Sequence, residues 1–503
     1  MDGSSSYYIQ LHQLFSQRNS KSKALNGLDV LFLFLDITIL LFIAYQLPNI
    51  LRYDNLIPRV NQILPIILTV SSLWVALRIV RQDPVMIWSP LPWFLGACAV
   101  YFGFGPLIYY FGTQESIWYI DQFYFVSEDN LLRTNALNVA GIGLVILGFL
   151  IGSRFFKIRT SAIGPFGSKE QRRIAIAFLG VGLPVKYLLY MPYIFGETDF
   201  ILPGSIMQLR YLTALAIIPI MFLIKEGHKK WRFIFYLLIA SELAFSALEF
   251  SKVSFIITLI IITSGWFFIV RRIRILSISF ILIIFAYYVI TPLVNFGRIN
   301  ILRSTGAIYQ AGLKDRLSIT SRFLSDANSR LVDERLGGQA WWIRLNYANA
   351  QSCAMDRYDV GSHGRSFGLA IYTIIPRIIW PEKPSISDVG LEFNYLATSS
   401  DNSSSAPGIF AEAYWNGGWL LVVGACLYVG VLFSIFSEYA RKNIMNSEYI
   451  YLPIILMGII MGLRPDGWFA VDYVGVVVIA FFTHFLLKWV FMKLVYRKRQ
   501  LMS

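Results

Sequence analysis

Apolar residues are gathered into blocks of about 20 along most of the chain, and polar, often basic segments separate them. About 20 apolar residues is the length that an α-helix needs to cross the ~30 Å hydrocarbon core of a bilayer. The chain is therefore predicted to be an all-α polytopic membrane protein. The pattern predicts twelve spans, at residues 28–47, 62–80, 86–111, 134–153, 174–194, 207–224, 233–250, 253–270, 275–294, 417–437, 448–464 and 469–491.

The basic residues predict the orientation of these spans. With the N-terminus in the cytoplasm, most Lys and Arg residues outside the long segment 295–406 fall on the cytoplasmic side. The short external segments hold only Arg52, Arg59, Arg133, Lys252 and Arg464. The positive-inside rule then places both termini in the cytoplasm. Since the net charge of +14 is largely this orientation signal, no nucleic-acid partner is needed to explain it.

One external segment, residues 295–406, is far longer than an ordinary connection, and loops of that size usually carry function. The predicted organisation is a cytoplasmic tail 1–27 without a removable signal peptide, spans 1–9 at 28–294, the periplasmic loop 295–406, spans 10–12 at 407–496, and a cytoplasmic tail 497–503.

Two parts of the long loop are predicted to be helical or interfacial. Leu317, Leu324 and Leu331 recur every seven residues, which predicts an amphipathic helix. The apolar run from Phe367 to Ile378 is too short to cross a bilayer, so it lies in the interface or re-enters from outside.

Metal and disulfide chemistry find little support. The three cysteines, Cys98, Cys353 and Cys426, have no spacing that suggests a disulfide framework. The four histidines show no HxxxH or HxxE spacing. No metal or other cofactor is expected.

Nine cations on the external side or inside spans form a candidate anion-binding set. Arginine binds phosphate through a planar fork, so such residues beside apolar surface suit a lipid-linked diphosphate. In PRIIWPEKP the prolines restrict the backbone, which would hold two of the cations with little loss of entropy on binding. The set is Lys186, Arg210, Lys252, Arg298, Arg303, Arg344, Arg365, Arg377 and Lys383.

Each of these cations also has a simpler explanation. Interfacial Arg and Lys are most often headgroup anchors. Lys186 lies inside a span between two prolines, and it either marks a functional cavity or snorkels along a kink. Arg210, four residues into its span, is interfacial or part of a site. Glu249 and Lys252 either pair with each other, or Lys252 joins the cationic set.

Two residues are the candidates for acid–base chemistry. His363, in DVGSHGRSFG, is the only histidine in the predicted external segments, and a histidine of ordinary pKa is suited to take a proton from a sugar hydroxyl. Glu412 lies in APGIFAEAYWNGGW at the mouth of the tenth span. Asp359 is a rival base, and His363 could equally be a solvent-exposed loop residue.

Three features in order resemble the bacterial O-antigen or oligosaccharide repeat-unit polymerases of the Wzy type. They are FSKVSF at the outer start of a span, a long external loop ending in PRIIWPEKP, and APGIFAEAYWNGGW leading into the next span. The resemblance covers roughly residues 245–435 and implies a metal-independent, GT-C-like glycosyltransferase of the bacterial inner membrane. Its implied substrates are undecaprenyl-diphosphate-linked glycans, and a chain-length regulator in the same membrane is an implied partner.

Under that resemblance, Lys252, Arg298, Arg377 and Lys383 would hold the departing diphosphate, and His363 or Glu412 would deprotonate the attacking hydroxyl. Three other functions stay open. An O-antigen ligase differs in its acceptor, a flippase or exporter would also need cations facing diphosphate, and a non-catalytic scaffold would explain the large loop. The crowding of cations outside the spans favours the enzyme.

Overall fold

The apolar blocks of the sequence fold into helices, many of them longer than the spans that the sequence predicts. The computed structural model describes residues 56–156, 168–198, 204–270, 272–305, 311–325, 339–375, 380, 382–383, 388–400, 404–446 and 448–496. In these ranges the regular secondary structure is helical and no strand occurs. The prediction of an all-α polytopic membrane protein is thereby confirmed.

Within that part of the chain, nine helices are long and apolar enough to cross a membrane. They are Leu56–Gln82, Pro90–Phe111, Glu128–Phe155, Ser168–Ile194, Ile206–Lys225, Trp231–Leu248, Arg274–Ile301, Ile409–Met445 and Phe469–Trp489. Two shorter apolar helices, Lys252–Phe267 and Tyr449–Gly462, lie where the sequence predicts spans 253–270 and 448–464. The first predicted span, 28–47, and both predicted tails, 1–27 and 497–503, lie outside the described residues.

The chain divides into two units, each formed by segments that are distant in sequence. The first unit comprises Met1–Thr160, Trp342–Lys442 and Ile455–Phe482, and the second comprises Ser161–Trp341, Asn443–Ile454 and Thr483–Ser503. The predicted long loop is therefore split, since its first part belongs to the second unit and its remainder to the first.

In the first unit, part of the predicted long loop packs against one of the helices that could span the membrane. The helix Ala348–Asp359 is buried on all sides over residues 350–355, and its Gln351 exchanges two hydrogen bonds with Asn138, at 2.6 and 3.0 Å. Asn138 is ten residues from the start of Glu128–Phe155, or about 15 Å along the helix axis. Because both amides are fully buried, each satisfies the other where water is excluded. This segment of the predicted loop is therefore packed into the first unit.

Cys353, on that inserted helix, is expected to be inert towards water-soluble maleimides at pH 7.5. Its side chain has no exposed area, and burial raises the pKa of the thiol to about 11, so almost no thiolate is present. Alkylation measured by mass spectrometry should proceed only after denaturation. Val360→Cys is the matched control, because Val360 ends the same helix and is 74% exposed. Rapid labelling of native Cys353 would contradict the inserted position of the helix.

The second unit holds the rest of the loop. The ninth predicted span ends at residue 294, but its helix continues to Thr305. The predicted amphipathic helix is present as Leu313–Ser325, while residues 326–338 lie outside the described part. Leu317 and Leu324 are exposed, and the buried face carries Ile319 and Arg316. Leu317 and Leu324 thus face away from the protein.

Candidate functional site

Three of the predicted cations lie around one short turn of the second unit, Leu248–Lys252. Arg210 forms an ion pair with Glu249 at 3.4 Å. Arg298 Nε donates to the carbonyl of Phe250 at 3.0 Å. Lys252 begins the next helix, and its Nζ lies 5.3 Å from the centre of the Tyr287 ring. The structure thus pairs Glu249 with Arg210, and Lys252 lies beside this set.

A fourth cation at this turn, Arg316, was not identified from the sequence. It is 1% exposed and donates to the carbonyls of Ala311, Leu248 and Ile194 at 2.8, 3.0 and 3.2 Å. Its guanidinium also lies 4.6 Å from the centre of the Phe195 ring. We name Arg210, Lys252, Arg298 and Arg316 the cationic cluster. Its members come from four separate helices or helix ends, so only folding brings them together.

The backbone of the turn is held in an unusual conformation. Phe250 has a φ of 51°, in the left-handed region that non-glycine residues rarely adopt. Its ring packs directly on Gly297, where an added Cβ would lie 2.4 Å from the ring. Strain of this kind persists only where the surroundings impose it, and it is concentrated at functional sites. The turn is therefore a defined element that presents the cationic cluster.

Lys186 lies deeper in the second unit and is neutralised there. Its Nζ is 2.7 Å from Glu242, with both side chains almost completely buried. Lys186 belongs to a π-helical stretch, Val185–Tyr190, that directly follows Pro184. Such stretches insert an extra residue in a helix turn and recur at functional sites. The ion pair, rather than snorkelling, accounts for a cation at this depth.

Glu242 was missed in the sequence, although a signal for it exists. A carboxylate inside an apolar span is itself a candidate functional residue. Glu242 lies in the helix Trp231–Leu248, and Glu249 directly follows its last residue. The two acids are seven residues apart, which places them on one face of the helix. That face meets Lys186 and Arg210. The spacing of the two acids therefore predicts a common set of cationic partners.

In the first unit, the loop 359–367 carries His363 and is tied to the segment Ile409–Asn416. Gly364 N donates to the carbonyl of Trp415 at 3.0 Å, and Trp415 Nε1 donates to the carbonyl of Ser362 at 2.8 Å. Asn416 accepts from Phe367 N at 3.2 Å. These bonds lie on both sides of His363 in the sequence, and its side chain stays exposed.

Asp359 lies in the same loop as this histidine and is held by two side chains. Arg133 pairs with both Asp356 and Asp359, and Tyr414 OH donates to Asp359 Oδ1 at 3.1 Å. The ring of Tyr358 contacts His363, at 4.7 Å between ring centres. Asp359 and His363 are both exposed.

Glu412 belongs to the same region, but it has no exposed area. Its Oε2 accepts from Phe469 N at 2.7 Å, in the turn that follows Arg464. Arg464 lies between Asp466 and Asp472, at 3.4 and 3.6 Å, and braces this turn. Folding thus brings both predicted acid–base residues to one part of the first unit, where His363 is exposed and Glu412 is buried.

The predicted cations Arg344, Arg365 and Lys383, which the structure describes, lie apart from the cationic cluster, in the first unit. In the first unit, Arg365 pairs with Glu392 at 3.0 Å, and Arg344 is exposed. Lys383 Nζ donates to the carbonyls of Tyr372 and Ile375, both at 2.7 Å, and so caps a short helix. Arg377 and the side chain of Arg303 lie outside the described residues.

Over the described ranges, His, Cys, Asp and Glu form no group of three that could hold a metal ion. The chemistry that the two sites offer is anion binding at the cationic cluster and proton transfer at His363, Asp359 or Glu412. Comparisons of the chain with protein-family models, with curated proteins and with solved structures find no match.

Proposed function

We propose that the chain is a polymerase of undecaprenyl-diphosphate-linked oligosaccharide repeat units. In this proposal it is a twelve-span, GT-C-like glycosyltransferase of the bacterial inner membrane, with both termini in the cytoplasm and catalysis on the periplasmic face. No cofactor takes part, and a chain-length regulator in the same membrane is its partner. The diphosphate leaves with the electrons of the glycosidic bond, and cationic side chains stabilise its charge.

The observation that carries the proposal is the cationic cluster. Arg210, Lys252 and Arg298 were each assigned to diphosphate binding from the sequence, and their helices meet at the Leu248–Lys252 turn. That turn runs directly into the FSKVSF motif on which the resemblance depends. Several donors around one turn suit a group with several phosphate oxygens, and the partial burial of Arg210 and Lys252 strengthens their contacts.

For the proton, the proposal assigns the general base to His363, with Asp359 as the alternative. A base must approach the hydroxyl to about 3 Å, directly or through one water. His363 is exposed, whereas the carboxyl of Glu412 is fully buried and bound to Phe469 N. Glu412 then has a structural role through its bond to Phe469 N. It would act as a base only after a movement that exposes its carboxyl group.

Arg298→Gln is expected to reduce polymerisation about 10²-fold, because one donor to the leaving group is lost. In cells, the glycan should shorten to single repeat units that still reach their final lipid, at normal protein abundance. Gel analysis of glycan length with immunoblotting of the protein measures both. Arg322→Gln is the matched control, since Arg322 is an exposed arginine of the same unit outside the cationic cluster.

The other outcomes separate the rival functions. Wild-type chain lengths in the Arg298→Gln strain would contradict the proposal that the cationic cluster binds the diphosphate. Long polymer stranded on undecaprenyl diphosphate would indicate a ligase. Units trapped on the cytoplasmic side would indicate a flippase or exporter.

A further inference from the structure

The two ion pairs on the helix Trp231–Leu248 and its end differ in how firmly they hold their cations. Lys186 and Glu242 meet at 2.7 Å, with side chains only 4% and 6% exposed. Arg210 and Glu249 meet at 3.4 Å, and the Arg210 side chain is 19% exposed. A tight charge-assisted bond measures about 2.7–2.9 Å and is often bidentate for arginine. The Arg210–Glu249 contact is long and formed through a single nitrogen.

Aromatic residues, rather than the carboxylate, hold the Arg210 guanidinium in place. The guanidinium lies 4.0 Å from the centre of the Tyr190 ring and 4.8 Å from that of Tyr211. Nη2 donates to Tyr211 OH at 2.9 Å. Cation–π contacts and this hydrogen bond would persist if Glu249 moved away. Arg210 is thus pre-positioned independently of its counter-ion.

Glu249 has a second partner that would keep it bound after such a movement. Tyr190 OH donates to Glu249 Oε1, the oxygen that faces Arg210. Its carboxylate therefore does not depend on Arg210 alone for a hydrogen bond in this buried position. A competing anion could take the Arg210 donors and leave the Tyr190–Glu249 bond intact.

We propose that Glu249 is the internal counter-ion of an anion site at the Leu248–Lys252 turn, and that a phosphate or diphosphate group displaces it from Arg210. The inference deepens the proposed function, on which it rests, by naming the residue that sets the affinity of the site. The carboxylate occupies Arg210 when the site is empty and weakens the binding of each anion that arrives. An anion site in a polymerase must release its product, and Glu249 supplies the competition that makes release fast.

The test is anion binding by the purified full chain in lipid nanodiscs, measured by isothermal titration calorimetry. The probes are inorganic pyrophosphate for a free anion and farnesyl diphosphate for a lipid-borne one. Glu249→Gln keeps the size of the side chain and an oxygen for Tyr190, but removes the negative charge next to Arg210. The expected result is about tenfold tighter binding, from the lost repulsion between carboxylate and ligand. A merely structural ion pair predicts weaker binding or none.

Glu226→Gln is the matched control, because it removes the same charge beyond the far end of the helix Ile206–Lys225, about 24 Å from Arg210 by helical rise. Its affinity should stay within twofold of wild type. In an Arg210→Gln background, Glu249→Gln should no longer tighten binding, since the pair acts through Arg210. That double variant also covers the case in which one single variant folds poorly.

The outcomes distinguish this inference from the proposed function. If wild type binds either probe and Glu249→Gln binds equally or more weakly, the counter-ion role is wrong while the anion site stands. If neither wild type nor Glu249→Gln binds pyrophosphate or farnesyl diphosphate, the anion site itself is wrong, and the proposed function loses its main support. Tightening for farnesyl diphosphate alone assigns the site to lipid-borne diphosphate, and tightening for both assigns it to the phosphate group.

Discussion

Lys186→Met is expected to lower the free energy of unfolding by about 3–5 kcal/mol, the typical result of leaving a buried charge without its partner. The substitution leaves Glu242, 5% exposed, without the ammonium at 2.7 Å that neutralises it. An ionisable side chain without a partner is costly inside a bilayer. Thermal unfolding followed by fluorescence-detected size-exclusion chromatography should show a large loss of the folded peak.

The double variant Lys186→Met, Glu242→Met is the critical companion experiment. Replacing a buried ion pair by apolar residues of similar size is often neutral or stabilising, so the double variant should recover most of the loss. Lys314→Met, at an exposed lysine of the same unit, should change stability by less than about 0.5 kcal/mol. A single variant as stable as wild type would mean that Lys186 and Glu242 are not mutually dependent.

Gly418→Ala is expected to cost about 3 kcal/mol and to disturb the region around His363. Gly418 has a φ of 59° and a ψ of −157°, a conformation essentially restricted to glycine. A Cβ at this position would lie 2.7 Å from Tyr358 OH and 3.0 Å from Tyr358 Cζ. Strain and overpacking each contribute about 1–3 kcal/mol. Thermal stability and glycan chain length should both fall, because Tyr358 supports His363.

Gly417→Ala is the neighbouring control. The φ of Gly417 is −166°, outside the left-handed region, and its added Cβ would lie 2.9 Å from Leu421 Cβ. The loss should be about 1–2 kcal/mol, from overpacking without the left-handed strain. Equal losses at the two glycines would show that the left-handed backbone at Gly418 is not the cause.

The sequence motif NGG, residues 416–418, stands at the predicted start of the tenth span, residue 417, but the structure places it inside a longer helical run. The helical run begins earlier, at Ile409, and the two glycines interrupt it. The segment before the break holds Trp415 and Asn416 against the loop 359–367. The two glycines alone predict a bend, but they do not show which side chain packs against the backbone there. In the structure Tyr358 packs against Gly418, and it lies on a helix that is distant in the sequence.

The candidate sites were predictable in their residue types but only partly in their partners. A lysine in a span and arginines beside apolar surface are recognisable by their cost in a membrane. Their counter-ions were not: Glu242 was overlooked, and Glu249 was considered as a partner of Lys252 and not of Arg210. Arg316 was overlooked because its ligands are backbone carbonyls, which no side-chain pattern in the sequence reports.

What the sequence by itself determined is the class of protein: a multi-pass helical membrane protein, with most of its spans at the predicted places. Apolar length is a local property of the chain, and the bilayer imposes helices wherever it suffices. Which charges meet was decided only by the tertiary structure. Lys186 and Glu242 are brought within 2.7 Å by the packing of two separate spans. Gln351 reaches Asn138 because a helix of the predicted loop packs beside a third span. Such contacts depend on which helices become neighbours, and hydropathy, which reports the depth of a residue, carries no information about its neighbours.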